Sequence, residues 1–177
     1  MNQLKTASIV LKVVQIMALV VGIGFVAHFT KEAHDSLAKY LYELGRLGRF
    51  EFYLFTNGVG VAIAFFGLLC TLTGVLEKKF GAFGMITLQA LWAFQLMVST
   101  GLLTKILTIY RKKIFSQGMS KCEIWDRLYG LDNLEYDLHC SHLIVGVACG
   151  FIAMLLFAKD AVISFMFFRR FKESNLN

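Results

Sequence analysis

The stretch 7–29 decides the class of fold, and it reads ASIVLKVVQIMALVVGIGFVAHF. Nearly all of its residues are apolar. A helix that rises about 1.5 Å per residue needs about 20 such residues to cross the hydrocarbon core of a bilayer, which is about 30 Å thick. Residues 52–76, 82–104 and 141–168 have the same character. The sequence therefore predicts an all-α integral membrane four-helix bundle, whose first span is kept as an uncleaved helix because no small-residue cleavage site follows it.

The composition extends this prediction to the whole chain. Hydrophobic residues make up 57% of the sequence and charged residues 17%, and the mean hydropathy is +0.63. With 177 residues and no proline, the chain has no linker and no segment large enough for a soluble domain. We expect one four-span domain over 1–177. The net charge of +6 comes from basic residues at span ends, which favours lipid headgroups, not nucleic acid, as their partner.

The connections between the spans set the expected topology. Residues 77–81 are so few that spans two and three must be antiparallel neighbours. The longer segment 30–51 has apolar residues at helical spacing, which fits an interfacial helix, a continuation of span one or a solvated loop. The two long segments hold more lysine and arginine in total, but these residues are denser in the short segments on the side of the termini. This pattern favours both termini in the cytosol and a multi-pass protein of the plasma membrane.

Cys122 and Cys140 lie in the second long segment, 108–140. If this segment faces an oxidising compartment, a disulfide between them would close a loop and contribute about 3 kcal/mol of stability. The alternative is two unrelated free thiols. Cys70 and Cys149 fall inside spans two and four, where a thiol usually packs as a small apolar side chain.

Small residues recur on one face of span two and again in span four. Such faces allow helices to approach closely where lipid removes the usual hydrophobic driving force. We expect both faces to be used within the bundle more readily than between protomers. The residues are Gly60, Ala64, Gly67, Thr71 and Gly74 in span two, and Gly146 and Gly150 in span four.

Lys159 and Asp160 are charged residues within the apolar run of span four. A charge inside a membrane is by default a hypothesis for a functional site. The alternative, which we favour from the sequence, is that the bilayer ends near Lys159, whose side chain extends to the interface while the helix continues beyond it.

Catalytic chemistry has no visible residues in this sequence. No Cys-x-x-Cys motif, nucleotide-binding loop, His-Glu-x-x-His motif or nucleophile elbow occurs. His139 and His142 flank Cys140, but a zinc site needs more ligands than this cluster offers. The sequence therefore predicts no catalytic residue, no cofactor and no metal site.

Several short matches point to a known family. They are Ser8-Ile9 and Lys12-Val13 in span one, Gly58 at the start of span two, and Gly146, Gly150 and Asp160-Ala161-Val162 in span four. On these residues the chain resembles the small four-span MARVEL-like membrane proteins of arthropods, which include the snakeskin type of insect smooth septate junctions. The resemblance implies a non-enzymatic protein that acts in junction assembly with other membrane proteins.

The leading interpretation is therefore a structural tetraspan whose partners are the lipid bilayer and other membrane proteins, including a second copy of itself. One alternative is an oligomeric channel or transport subunit, with a pore lined by Asn57, Gln89, Gln95 or the Lys159-Asp160 pair. Another is a small four-span membrane enzyme of the glutathione-transferase-like type. Against it, the helices carry no cluster of basic residues and amides that would hold such a ligand.

Overall fold

The described residues form four helices that confirm the predicted all-α fold. In a computed structural model, structure is described for residues 2–42, 47–74, 79–112, 120, 122–123 and 140–174. The helices are α1 (Asn2–Tyr42), α2 (Leu47–Leu72), α3 (Lys79–Arg111) and α4 (Cys140–Ser174). Each includes a stretch that is long and apolar enough to cross a membrane; these stretches are Lys5–Glu32, Gly48–Leu72, Gly81–Arg111 and Cys140–Met166.

The helices pack in a ring, with α1 against α2 and α4, and α3 against the same two neighbours. Neighbours in the ring are antiparallel, so the start of α1 and the end of α4 lie at one end of the bundle. We call this the terminal end. The opposite end carries the second long segment, and we call it the bridged end because Cys122 and Cys140 are joined there.

The surface of the bundle is apolar and its interior holds most of the polar side chains of the spans. Such a surface would be a liability in water, but it suits a bilayer, where lipid tails take the place of solvent. The exposed apolar residues are spread over all four helices and include Val10, Met17, Phe55, Phe66, Leu91, Phe94, Leu155 and Phe165. The buried polar residues include Ser8, Lys12, Gln15, Asn57, Gln89, Thr100, Asp160 and Ser164. The protein is thus a multi-pass membrane protein.

The observed helix bounds differ from the predicted spans at their ends. Helix α1 runs without a break to Tyr42, so part of the segment 30–51 continues span one, which was one of the three possibilities. The predicted second span reached residue 76, whereas α2 ends at Leu72. Gly74 follows with a φ of 72°, a left-handed conformation that glycine adopts easily and that often ends a helix.

Candidate functional site

A buried ion pair joins the first and last helices. The ammonium nitrogen of Lys12 on α1 lies 2.5 Å from Oδ2 of Asp160 on α4, and both side chains are fully buried. Gln89 on α3 donates a second hydrogen bond to the same oxygen, also at 2.5 Å. The hydroxyl of Ser164, one turn beyond Asp160, donates to Oε1 of Gln89 at 3.2 Å. These four side chains link three helices, and we call them the polar layer.

The sequence places these side chains at one depth because the helices alternate in direction. Lys12 lies roughly 10 Å inside the start of its span at Lys5, at about 1.5 Å per residue. By the same measure Asp160 lies roughly 9 Å inside the end of its span at Met166. A lysine and an aspartate at matching depth in adjacent antiparallel helices can therefore meet. Each offsets the cost of burying the other's charge, which would be several kcal/mol for an isolated ion.

Lys159 and Asp160 are neighbours in sequence but have different surroundings in the structure. Lys159 is exposed on the surface of α4, as expected of a side chain that extends to the interface. Asp160 is fully buried inside the bundle. A fully buried carboxylate does not fit the prediction that the bilayer ends near this pair. Lys12 was not identified from the sequence as the partner of Asp160. Its equal depth in an antiparallel span was the signal that could have identified it.

Two polar groups beside the layer have no hydrogen-bond partner among the described residues. They are Oδ1 of Asp160 and the side-chain amide of Gln15, both of them buried. Gln15 follows Lys12 by almost one turn of α1, so it faces the same interior.

The other amides of the spans have different surroundings. Asn57 donates to the carbonyl oxygen of Tyr53 in its own helix at 2.7 Å, and Gln95 is half-buried. Among the described residues, Gln89 instead donates to a side chain of another helix.

Gly67 on α2 completes the surroundings of Lys12. A Cβ atom added at Gly67 would lie 2.7 Å from Nζ of Lys12 and 2.8 Å from the terminal carbon of Met85. Two turns earlier along the same face, a Cβ at Gly60 would lie 3.0 Å from the indole nitrogen of Trp92. That nitrogen donates to the carbonyl oxygen of Thr56 at 3.2 Å. The glycines of α2 therefore let long side chains from α1 and α3 reach its backbone.

The remaining small residues predicted on α2 divide into two groups. Ala64 is buried in an apolar cluster with Leu19 and Leu96, and Thr71 is buried with its hydroxyl donating to the carbonyl of Gly67 at 2.8 Å. Gly74 instead lies past the last residue of α2, where its positive φ ends the helix. The predicted face is therefore interrupted before its fifth member, because the backbone leaves the helical path.

Gly146 and Gly150 on α4 lie against the interior of the bundle. A Cβ at Gly146 would collide with the side chain of Val26 on α1, and one at Gly150 would collide with Thr100 on α3. The carbonyl oxygen of Gly146 accepts a hydrogen bond of 2.6 Å from the hydroxyl of Tyr53, which is fully buried. Close approach at these glycines thus gives Tyr53 access to the backbone of α4.

At the bridged end, Cys122 and Cys140 form a disulfide across a sequence separation of 18. Ser120 and Glu123 exchange two hydrogen bonds around Cys122. The Ser120 amide donates to Oε2 of Glu123 at 2.7 Å, and the Glu123 amide donates to Oγ of Ser120 at 3.2 Å. This is a capping box, which fixes the backbone that carries the cysteine. Both bridged cysteines pack in a buried cluster with Phe29, Phe50, Tyr53, Leu103, Tyr110 and Leu143.

Two links hold the bundle together near its opposite ends. The polar layer ties three helices together near the terminal end, and the disulfide ties the second long segment to the bundle at the other end. Cys70 is buried and Cys149 is half-buried, and neither is bridged. Among the described residues, no group of three or more His, Cys, Asp or Glu side chains is placed to hold a metal ion.

Comparison with known proteins identifies the family of this chain. The family MARVEL, described as a membrane-associating domain, matches residues 3–163. No curated protein and no solved structure matches the chain. The match covers the first three spans, most of the fourth, and both charges of the polar layer. The chain therefore belongs to the MARVEL family of membrane-associating domains.

Proposed function

We propose that this protein is a non-enzymatic tetraspan that organises membrane-protein assemblies at contacts between neighbouring cells in the plasma membrane. The observation that carries the proposal is the disulfide between Cys122 and Cys140. It holds the second long segment at one end of a bundle whose other surfaces are apolar. A disulfide that anchors a segment lowers the conformational entropy lost when a partner binds, which favours a contact surface at this end.

The disulfide also supports the proposed orientation. Disulfides form and persist outside the cytosol, so the bridged end is expected to face the extracellular side. Both termini then lie in the cytosol, in agreement with the short basic segments on that side. The same orientation places the polar layer in the half of the bundle next to the cytosol, far from the contact surface.

The burial of the polar layer weighs against a channel formed between protomers. Asn57, Gln89 and Asp160 lie inside their own bundle, so they are not available to line a pore between copies of the chain. Within the bundle, Lys12 and Asp160 neutralise each other. Their hydrogen bonds are used to hold α1, α3 and α4 together, which fits a structural role.

Mosaic cell culture tests the proposal. Epithelial cells that express a fluorescent fusion of the full chain are mixed with cells that do not. The proposal predicts enrichment at borders between two expressing cells, relative to borders with non-expressing cells. The Cys122→Ser variant is expected to lose this enrichment, while Cys149→Ser, which alters an unbridged cysteine, keeps it. Surface biotinylation establishes that both variants reach the plasma membrane.

A border between two expressing cells holds two labelled membranes, so a fluorescence ratio of no more than two between the two kinds of border would contradict a role at cell contacts. Chemical crosslinking at the cell surface then tests the broader part of the proposal, which is the organisation of membrane-protein assemblies. If the wild-type chain also crosslinks to no membrane protein and to no second copy of itself, the proposed function is wrong.

A further inference from the structure

A groove opens onto the lipid-facing surface between α1 and α4 near the bridged end. It has a volume of about 370 Å³ and is lined by Val21, Gly24, Phe25, His28 and His142. A Cβ atom added at Gly24 would have no atom within 4 Å, so this glycine forms the open floor of the groove. The volume lies in the range of about 300 to 1,000 Å³ that is usual for small-molecule sites.

The two histidines form the polar mouth of the groove. The rings of His28 and His142 meet edge to face with centroids 5.1 Å apart, and His142 also packs on Phe25 at 5.5 Å. These contacts fix both imidazoles beside the opening. An imidazole N–H donates hydrogen bonds readily to a phosphate or carboxylate oxygen.

The depth of each residue matches the layers of a bilayer. Measured along α1 from the end of its span at Glu32, His28 lies roughly 6 Å deep, whereas Val21 lies roughly 16 Å deep. The groove therefore runs along about 10 Å of α1, from near the end of the span toward its middle, and it becomes apolar with depth. Its surface is continuous with the lipid-facing surface of the bundle, so its occupant comes from the membrane.

Lys31 carries a positive charge one turn beyond His28, on the headgroup side of the groove. It follows His28 by three residues on α1, which places both on one helical face, and it is exposed. Glu32, its neighbour in sequence, is half-buried and already interacts with other residues of the chain. An ammonium group and two imidazoles above an apolar channel are complementary to a phosphodiester that carries an acyl chain.

We propose that this groove binds one glycerophospholipid. The phosphodiester accepts hydrogen bonds from Lys31 and His28, and one acyl chain lies along Phe25, Gly24 and Val21. The site is specific for the phosphate and not for the group attached to it, since the described residues around the mouth provide donors for the phosphate alone.

Native mass spectrometry of the detergent-purified full chain tests this site. Phosphatidylcholine, phosphatidylglycerol, glucosylceramide and cholesterol are titrated separately. Both phospholipids are expected to form a one-to-one complex, whereas the glycolipid and the sterol, which lack a phosphate, are not. Lys31→Gln removes a charge-assisted hydrogen bond and is expected to weaken phospholipid binding by about tenfold.

Gly24→Leu fills the floor of the groove without a clash and is expected to abolish the complex. Gly84→Leu is the matched control, because a Cβ at Gly84 on α3 also has no atom within 4 Å, and it is expected to bind phospholipid as the wild type does. Equal thermal stability of the two variants in detergent shows that both are folded. The proposal is overturned if Gly24→Leu retains the lipid, or if the glycolipid or the sterol binds as well as the phospholipids.

Discussion

Lys12 and Asp160 are 148 positions apart in sequence, yet Nζ of the first lies 2.5 Å from Oδ2 of the second, and neither side chain is exposed. They come from the first and last helices of the ring, so their contact closes it. Gln89 holds the carboxylate from α3. A buried pair of this kind adds little net stability over a well-packed apolar pair, but it makes the arrangement of helices depend on both partners being present.

Removal of one partner is therefore expected to be far more harmful than removal of both. Lys12→Met leaves a buried carboxylate without its cation and should destabilise the bundle by about 3–5 kcal/mol, and Asp160→Leu should act similarly on the lysine. The double variant Lys12→Met/Asp160→Leu should recover most of the loss. Thermal unfolding in detergent, followed by size-exclusion chromatography, completes the double-mutant cycle. Losses that simply add would show that the two side chains do not interact.

A methyl group at Gly67 is expected to disturb the same pair from outside. The Cβ atom of Gly67→Ala would lie 2.7 Å from Nζ of Lys12 and 2.8 Å from the terminal carbon of Met85, so both side chains must shift. We expect a loss of about 1–3 kcal/mol, typical of overpacking in a well-packed interior. Gly84→Ala serves as the control, since its Cβ has open space around it. Equal unfolding temperatures for the two variants would contradict the close approach of Lys12 to α2.

The contact between α1 and α4 at Gly146 predicts a specific rescue. Gly146→Ala would place its Cβ against the side chain of Val26 and is expected to destabilise the bundle by about 1–3 kcal/mol. Val26→Ala shortens the opposing side chain, so the double variant should be more stable than Gly146→Ala alone. Thermal unfolding of the three variants in one detergent measures this. If Val26→Ala adds its own loss to that of Gly146→Ala, the two residues are not in contact.

The hydroxyl of Tyr53 predicts a smaller effect. Tyr53→Phe removes the hydrogen bond of 2.6 Å to the carbonyl oxygen of Gly146 but keeps the ring in its buried cluster. Hydrogen bonds between membrane helices contribute about 0.6 kcal/mol on average and up to about 1.7 kcal/mol. We expect a loss within this range in reversible unfolding from detergent into denaturing micelles. A loss above about 3 kcal/mol would mean that the ring, and not the hydroxyl, had been disturbed.

The fold was predictable from sequence because lipid imposes a simple rule. A backbone in hydrocarbon must satisfy its own hydrogen bonds, so four long apolar stretches predict four helices. The disulfide was also accessible to sequence reasoning, as Cys122 and Cys140 share one long segment. Close packing at Gly60 and Gly67 followed from their spacing on one helical face.

The ion pair was not predicted because its two members lie in different spans. Asp160 was considered with its neighbour Lys159, whereas helical geometry turns these two residues toward different surroundings. Its partner, Lys12, lies in the first span, 148 positions away in sequence. Pairing them requires the order of helices around the ring, which hydropathy does not give. Gly74 was misplaced for a related reason, since composition alone does not mark the residue at which α2 ends.

The orientation of the bridged end is the central claim, and labelling of thiols in intact cells tests it directly. In Cys122→Ser the bridge is absent and Cys140 carries a free thiol. A membrane-impermeant maleimide is expected to label this variant without permeabilisation. The wild-type chain is expected to require a reductant first, and the double variant Cys122→Ser/Cys140→Ser gives the background from Cys70 and Cys149. Labelling of Cys122→Ser only after permeabilisation would place the bridged end in the cytosol and contradict the account.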